Sequence, residues 1–215
     1  MSSIPRTDIV FVNSLELSVN VGPDRWGKSR AQPVLISIYL HLHSSYLAAV
    51  GETDDVRDSV HYGHLSKAIT NVVEADNTFS GINGLVDVVT KAAFDLAGEA
   101  AAAVKVVVDL RQMILLAGGF SVEVITPAAT SSKDAPVRVI VKDMLLLTII
   151  GVNPPEREAK QQVIINIVFV ETPGNHPPVD YRNIMTQILK ARSLWYSIGV
   201  MIIIVNLRKS NHHLT

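Results

Sequence analysis

The chain has 215 residues, of which 48% are hydrophobic and 18% are charged, and its formal net charge is −1. Such a composition is typical of a globular protein with a sizeable core, and the length allows one or two domains. Lys and Arg do not outnumber the acidic residues and do not cluster, so we expect no nucleic-acid partner. The absence of cysteine excludes disulfides, thiolate metal sites and cysteine nucleophiles.

No segment of the sequence is typical of secretion or of membrane insertion. The opening residues, MSSIPRTD, lack the apolar core of a signal peptide. The most apolar run, residues 194–207, is shorter than the about 20 residues that a membrane-spanning helix needs. We therefore expect no membrane partner and a cytoplasmic location.

The sequence contains a long internal repeat. Residues 8–42 recur in outline, without a gap, at 137–171. In each copy an apolar run ends at a glycine, polar and turn-forming residues follow, a glutamine precedes a second apolar run, and a tyrosine later begins an amphipathic stretch. The paired residues are Gly22 with Gly151, Gln32 with Gln161 and Tyr62 with Tyr181. The period is too long for a solenoid, whose repeats recur at about 20–50 residues, so it predicts two tandem domains.

The first copy predicts an α+β unit. Its β-branched apolar runs, bounded by turn residues, are typical of strands, and its amphipathic and Ala-rich stretches are typical of helices. The predicted elements are strands at 9–21 and 34–42, helices from about 64 and at 85–104, and strands at 105–110 and 120–125. This order predicts a four-stranded antiparallel sheet with two helices on one face, whose other face is left to be covered.

The second copy is shorter. Residues 127–136, rich in Pro, Ser, Thr and Ala, predict a linker after a first domain at 7–126. The second domain, 137–215, repeats the hairpin and the tyrosine-led helix, but its similarity to the first copy ends after Lys190. We expect a truncated unit with a divergent C-terminal tail, which lacks the second helix and the room for both final strands.

The loop and helix motifs resemble those of the dihydroneopterin aldolase family of folate biosynthesis. They read GPDRWGKSRAQ and TDDVRDSVHYGHL in the first copy, and GVNPPEREAKQ and VDYRNI in the second. A tandem pair of such units is also similar to the N-terminal part of fungal multifunctional folic acid synthesis proteins. The resemblance implies two tunnelling-fold (T-fold) units, and homo-oligomers that form ring-like barrels with the active site between subunits.

Members of that family cleave dihydroneopterin by a retro-aldol reaction to hydroxymethyl-dihydropterin and glycolaldehyde. The resemblance implies that neither a metal nor a lysine Schiff base is needed, because the C=N bond of the substrate ring accepts the electron pair. The protein binds the pterin and moves protons, for which acid–base side chains within hydrogen-bond reach suffice. We therefore expect a small-molecule pterin substrate and no cofactor.

The resemblance assigns catalytic roles to three residues. Tyr62 and Tyr181 match the family's tyrosine at the beginning of the first helix, and Glu156 matches its glutamate in the hairpin loop. In the first copy that glutamate position falls on Gly27. The family's third-strand lysine falls within residues 110–112 of the first copy, where there is no lysine, and the truncated second copy is expected to lack it.

Four residues are expected to bind the substrate. Asn83 stands where the family has the glutamate that binds the pterin amino group and ring N–H, and Asp87 is the nearest acidic residue. Val60 and His61 directly precede Tyr62 in its motif. An amide at Asn83 can accept a hydrogen bond, although a carboxylate makes a stronger, charge-assisted one.

Three interpretations stay open because neither copy holds the full catalytic set. The chain is an active or weakly active aldolase, a structural member of the family that pairs with complete aldolase subunits, or a truncated form of a longer folate enzyme. His41 and His43 are spaced like zinc ligands on one strand, but no third ligand is evident, so we predict no metal site. In each case, open strand edges favour a homo-oligomer or pairing between the two units.

Overall fold

The computed structural model describes residues 8–44, 46, 60–149, 153–173, 179–190 and 206–209. These residues form one antiparallel sheet of seven strands, arranged in sequence order, and three α-helices. The strands are β1 (Ile9–Val19), β2 (Gln32–Leu42), β3 (Ala101–Leu110), β4 (Gly119–Pro127), β5 (Val137–Thr148), β6 (Gln161–Glu171) and β7 (Asn206–Lys209). The helices are α1 (Tyr62–Ala75), α2 (Gly81–Ala97) and α3 (Tyr181–Lys190). We call β1 to β4 with α1 and α2 the first half, and β5 to β7 with α3 the second half.

The core of the first half lies between the sheet and the helices. Along β2 alternate side chains are buried, because successive residues of a strand point to opposite faces. The fully buried residues of this strand include Val34, Ile36, Ile38 and Leu40. The buried residues of α1 and α2, at helical spacing, include Leu65, Ile69, Val73, Leu85, Val89 and Ala93. Burial of each large aliphatic side chain stabilises the fold by about 1.5–3 kcal/mol.

The opposite face of the sheet carries charged side chains. Glu123 of β4 forms ion pairs with Lys105 of β3 at 2.8 Å and with Arg138 of β5 at 3.7 Å. Lys142 of β5 reaches Asp109 of β3 at 3.1 Å. The expectation that this face is covered stays a prediction, because it also carries the stacked rings of Phe11 and Tyr39 beside these ion pairs. Two of these pairs also connect β5 with the first half.

The sheet is continuous, where the sequence predicted a separate sheet for each unit. β4 pairs with β5 from Gly119 opposite Lys142 to Val124 opposite Val137, so the two hairpins share one sheet. The predicted α+β class, the antiparallel pairing and the order of elements in the first half are confirmed.

One helix boundary predicted from the sequence is wrong. The sequence predicts the second helix over 85–104, whereas α2 begins at Gly81 and ends at Ala97. Gly98 follows with a φ of 54°, a left-handed conformation that glycine adopts without strain. Residues 101–104 belong to β3, between β2 and β4, where strand pairing and burial outweigh the helix propensity of the alanines.

The two hairpins share one irregularity. The β1–β2 and β5–β6 ladders each contain a bulge, at Ser14 and at Asp143, with φ angles of 56° and 50°. The N–H of Ser14 donates to Oγ of Ser37 at 3.0 Å, and the N–H of Asp143 donates to Oδ1 of Asn166 at 2.9 Å. Ser37 and Asn166 are related by the same sequence offset as the two bulge residues. The sequence repeat therefore corresponds to a repeated backbone geometry with an equivalent side chain–backbone bond.

Replacement of Ser37 by alanine is expected to lower the free energy of unfolding by about 1–3 kcal/mol, because the bulge N–H loses its partner. Asn166→Ala removes the equivalent bond in the second half and should cost less, because that bond is exposed and water can replace the lost partner. Urea denaturation measures both. Ser18 is exposed on β1, so Ser18→Ala serves as the control and should change the free energy by less than about 0.5 kcal/mol. A cost for Ser37→Ala no larger than that of the control would contradict the role of this bond.

Candidate active site

The loop between β1 and β2 is organised by one buried carboxylate. Asp24 is 1% exposed and accepts hydrogen bonds from the N–H groups of Trp26 (2.9 Å) and Lys28 (3.0 Å). Nε and Nη2 of Arg30 also lie 2.9 and 2.8 Å from its Oδ2. The hydrogen bond from Lys28, with those from Trp26 and Arg30, holds the pKa of Asp24 below its ordinary value against the opposing effect of burial. Asp24 is therefore ionised at neutral pH and fixes the loop.

Two further bonds fix the ends and the tip of this loop. Gln32, the glutamine of the repeat, is 3% exposed, and its amide donates to the carbonyl of Gly22 at 3.5 Å. The N–H of Arg25 donates to the carbonyl of Gln112, in the turn after β3, at 2.9 Å. Residues 110–112, where the family has its lysine, thus contact the β1–β2 loop, where the family has its glutamate.

The beginning of α2 lies at the same end of the sheet. Asn20, directly after β1, donates its N–H to the carbonyl of Asn77 at 2.7 Å and accepts a bond from the N–H of Phe79 at 2.8 Å. These bonds tie the α1–α2 connection to the loop, and Asn83 follows, exposed, in the first turn of α2. The structure therefore brings the loop, residues 110–112 and Asn83 to one end of the sheet.

The residues found there do not supply the family's acid–base groups. Gly27 has a φ of 77°, a left-handed conformation in which a glutamate would cost roughly 1–2 kcal/mol. Leu110 is fully buried, whereas Arg111 is exposed and Gln112 is half-buried. A lysine would therefore fit at Gln112, while at Leu110 it would bury its charge. The guanidinium of Arg111 is a poor proton carrier, since it is effectively never deprotonated.

Tyr62 lies away from that end. It is the first residue of α1, is 63% exposed, and its ring stacks on His61 with 4.6 Å between the centroids. With Ser14 and Lys67 it lines an open groove of about 580 Å³ beside the bulge of β1. Helix α1 has 14 residues and is about 21 Å long, and its other end leads to α2. Within one chain, Tyr62 and Asn83 are thus separated by roughly the length of a helix.

The other predicted substrate-binding residues have structural partners. His61 is exposed and caps α1, since its Nδ1 accepts the N–H of Gly63 at 3.0 Å. Val60 is half-buried and packs against the core. Asp87 accepts a hydrogen bond from the hydroxyl of Ser132 at 2.7 Å, which fastens the predicted linker to α2. The predicted residues are thus divided between the beginning of α1 and the helix α2.

Tyr181, the counterpart of Tyr62, has a different environment. It is the first residue of α3, is 8% exposed, and packs against the rings of Phe120 and Phe169 with centroids 5.7 and 5.1 Å away. Its hydroxyl donates a hydrogen bond to the carboxylate of Glu171. Burial, this hydrogen bond and the charge of Glu171 raise the pKa of Tyr181. The hydroxyl of Tyr181 is therefore engaged, whereas Tyr62 is largely exposed.

The first turn of α3 contacts the loop of the first half. Nη1 of Arg182 donates to the carbonyl of Asp24 at 3.2 Å. Tyr181 meets Phe120, at the beginning of β4, in the same region. We call this contact of Tyr181 and Arg182 with Phe120 and Asp24 the internal seam. It brings the tyrosine-led helix of the second half to the loop of the first half.

Glu156 belongs to the loop between β5 and β6. Its backbone is part of a 3-10 turn, Pro154–Arg157, and its side chain lies outside the described residues. The turn begins with two prolines where the first half has Arg25 and Trp26, so the two hairpin loops differ in their construction. The catalytic role of Glu156 stays a prediction.

Strand β7 contains a lysine that was not predicted as a site residue. Lys209 lies opposite Val163, near the beginning of β6, on the third strand of the second half. This differs from the expectation that the shorter copy lacks a lysine on this strand. The signal was present in the sequence, because the run VNLRK at 205–209 resembles VDLRQ at 108–112 and aligns Lys209 with Gln112.

Among the residues described by the structure, no group of three or more His, Asp or Glu side chains could hold a metal ion. In the same part of the chain, no helix is long and apolar enough to cross a membrane.

Replacement of Asp24 by asparagine is expected to destabilise the protein most above about pH 4. A carboxylate whose pKa is lowered by folding contributes stability above its ordinary pKa of 3.8, and this contribution is lost as the pH falls through the lowered value. The difference in unfolding free energy between wild type and Asp24→Asn should therefore shrink towards pH 3. Urea denaturation across this range measures it, with the exposed Glu16→Gln as control. A difference that does not change with pH would contradict the buried ionised state.

Comparisons with known proteins give sequence relatives in folate synthesis. The family model of dihydroneopterin aldolase matches residues 10–125, more than half of the chain. The folic acid synthesis protein fol1 of Schizosaccharomyces pombe is 28% identical over 166 residues, which are 77% of this chain and 22% of that protein. The chain thus spans about a fifth of the length of this curated relative.

Solved structures give a likeness in fold. A dihydroneopterin aldolase from Burkholderia thailendensis, bound to guanine, is 21% identical with a TM-score of 0.44, over 56% of this chain and 90% of that one. Uricase from Arthrobacter globiformis is 6% identical with a TM-score of 0.57, over 87% of this chain and 68% of that one, so the shared fold extends over both halves. From the sequence match over residues 10–125, the chain belongs to the dihydroneopterin aldolase family.

Proposed function

We propose that the protein binds a pterin and cleaves dihydroneopterin to hydroxymethyl-dihydropterin and glycolaldehyde. The observation that supports this best is the environment of Tyr62. Its side chain is 63% exposed at the first turn of α1, beside an open groove, within a motif that resembles the family's own. A phenol in this position is available to a bound substrate.

The reaction requires two proton transfers. A proton leaves the second hydroxyl of the substrate side chain, the bond between the first and second side-chain carbons breaks, and glycolaldehyde departs. The electron pair of that bond moves into the C=N bond of the ring, and the first side-chain carbon is then protonated. Each transfer needs a side chain with a mobile proton within hydrogen-bond reach. The hydroxyl of Tyr62 and the ammonium of a third-strand lysine are groups of this kind.

The groove beside Tyr62 has a filled counterpart in the second half. At the bulge of β5, the N–H of Gly118 donates to the carbonyl of Lys142 at 2.9 Å, and the N–H of Leu145 donates to the carbonyl of Leu116 at 2.9 Å. The segment before β4 therefore pairs with β5 where the corresponding stretch of β1 lines an open groove. Because the two bulges have the same geometry, a segment of a second molecule would fill the groove at β1 in the same way.

Such a homo-oligomer would complete the site. In the internal seam, the tyrosine-led helix of one half meets the hairpin loop of the other. If two molecules associate in the same way, Tyr62 of one would lie near the β5–β6 loop of the other, which contains Glu156. It would also lie near β7 of that molecule, which contains Lys209. The internal seam instead joins the engaged Tyr181 to the loop that contains Gly27, so we assign cleavage to the contact between molecules.

A structural, catalytically impaired role is the alternative, and the first half favours it. There, Gly27 and Gln112 stand where the family has its glutamate and lysine, while Asn83 and Asp87 remain as predicted pterin contacts. In that case the protein would bind pterin without cleaving it, or would pair with complete aldolase subunits.

Purified protein is expected to release hydroxymethyl-dihydropterin from dihydroneopterin, as measured by chromatography with fluorescence detection. Tyr62→Phe removes the hydroxyl and should lower kcat/KM by roughly 100- to 10,000-fold. Tyr181→Phe is the matched control and should have a far smaller effect, because that hydroxyl is already bound by Glu171. Equal rates for wild type and Tyr62→Phe would refute the assignment, and no cleavage by wild type would favour the structural alternative.

The proposed assembly is tested at the edge of β1. Wild-type protein should sediment as a homo-oligomer. Phe11 is 56% exposed and lines the groove, so Phe11→Lys places a charge on the edge that has to pair and should shift the protein to monomers. Val72→Lys on the exposed surface of α1 is the control and should leave the oligomer intact. Wild-type protein that stays monomeric at every concentration would contradict the assembly.

A further inference from the structure

The internal seam contains a hydrogen bond, made by Arg182, that has no counterpart at the helix α1 of the first half. Arg182 follows Tyr181 in α3, and its counterpart after Tyr62 in α1 is Gly63. Nη1 of Arg182 donates to the carbonyl of Asp24 at 3.2 Å, between residues of the two halves. A glycine has no side chain to make this bond, so α1 cannot form it.

Arg182 is oriented by its own helix. Oδ1 of Asp180 accepts the N–H groups of Arg182 and Asn183, each at 3.1 Å, and so caps the first turn of α3. The same oxygen lies 3.7 Å from Nε of Arg182. The arginine side chain is 30% exposed, so its stem is largely covered. The planar guanidinium group thus points at the loop, and it loses little conformational entropy when it forms the hydrogen bond.

The acceptor of this bond belongs to the residue that organises the loop. The carbonyl of Asp24 also accepts the N–H of Gly27 at 2.9 Å, which closes the turn. The carboxylate of Asp24 accepts the N–H groups of Trp26 and Lys28. Arg182 therefore acts on the residue at which the internal hydrogen bonds of the loop converge.

We propose that Arg182 is a positioning residue that locks the internal seam. It holds the β1–β2 loop closed against α3 and thereby fixes the backbone at Trp26 and Gly27. The helix α1, with Gly63 in the equivalent place, lacks this lock. The proposal concerns the contact between the two halves, and its test needs no pterin, so its outcome is independent of the cleavage proposed above.

Amide hydrogen exchange of the full chain tests the lock. Arg182→Met keeps an unbranched apolar stem and removes the donor. The amides of Trp26 and Gly27 should then exchange about tenfold faster, as expected for the loss of one charge-assisted hydrogen bond. The amides of Val106 and Val108, in the centre of the sheet, should change much less.

Two further variants distinguish positioning from general stability. Arg182→Lys keeps the charge and a donor, and should recover part of the protection of the loop amides. Arg111→Met removes an exposed arginine at the same end of the sheet and should leave the loop and β3 unchanged. The proposal is overturned if Arg182→Met leaves the loop amides unchanged, or if it accelerates the loop and β3 amides by the same factor.

Discussion

The pairing of β4 with β5 is the interaction on which the arrangement of the molecule depends. It joins the two hairpins into one sheet, from Gly119 opposite Lys142 to Val124 opposite Val137. This pairing places β4 beside one edge of β5. The strand β1, which is the counterpart of β5 in the repeat, forms the end of the sheet. The β4–β5 pairing also determines where α3 lies, since the first turn of that helix can then reach the loop of the first half.

Charged side chains help to fix the register of this pairing. Glu123 lies directly opposite Arg138 and forms an ion pair with it, and Lys142 extends past Gly119 to Asp109. A slip of one residue would turn Arg138 and Lys142 towards the apolar face of the sheet, where their charges would lose water and partners. The exposed pairs themselves contribute little free energy. Their main effect is therefore to exclude the wrong register.

The sequence predicts what depends on local pattern. The repeat of 8–42 at 137–171 predicts both hairpins, and the motif that ends at Tyr62 predicts the beginning of α1. The sequence predicts a helix at residues 101–104, where pairing with β2 and β4 outweighs helix propensity. The separation of Tyr62 from Asn83 could not be predicted from the sequence either, because it depends on the direction in which α1 crosses the sheet. Residues that the resemblance assigns to one site thus lie, within one chain, about a helix length apart.

Tyr62 and Tyr181 occupy equivalent positions of the repeat but differ in burial and in hydrogen bonding. Both begin a helix at the same point of the repeat. Glu171, which accepts the hydrogen bond of Tyr181, corresponds to Leu42 in the first half, and leucine offers no such acceptor. Burial at the internal seam favours the neutral, hydrogen-bonded phenol and raises its pKa, so its proton is held in place. The side chain of Tyr62 is instead 63% exposed, and its ring stacks on His61. One tyrosine therefore stabilises the contact between the two halves, while the other is largely exposed beside an open groove.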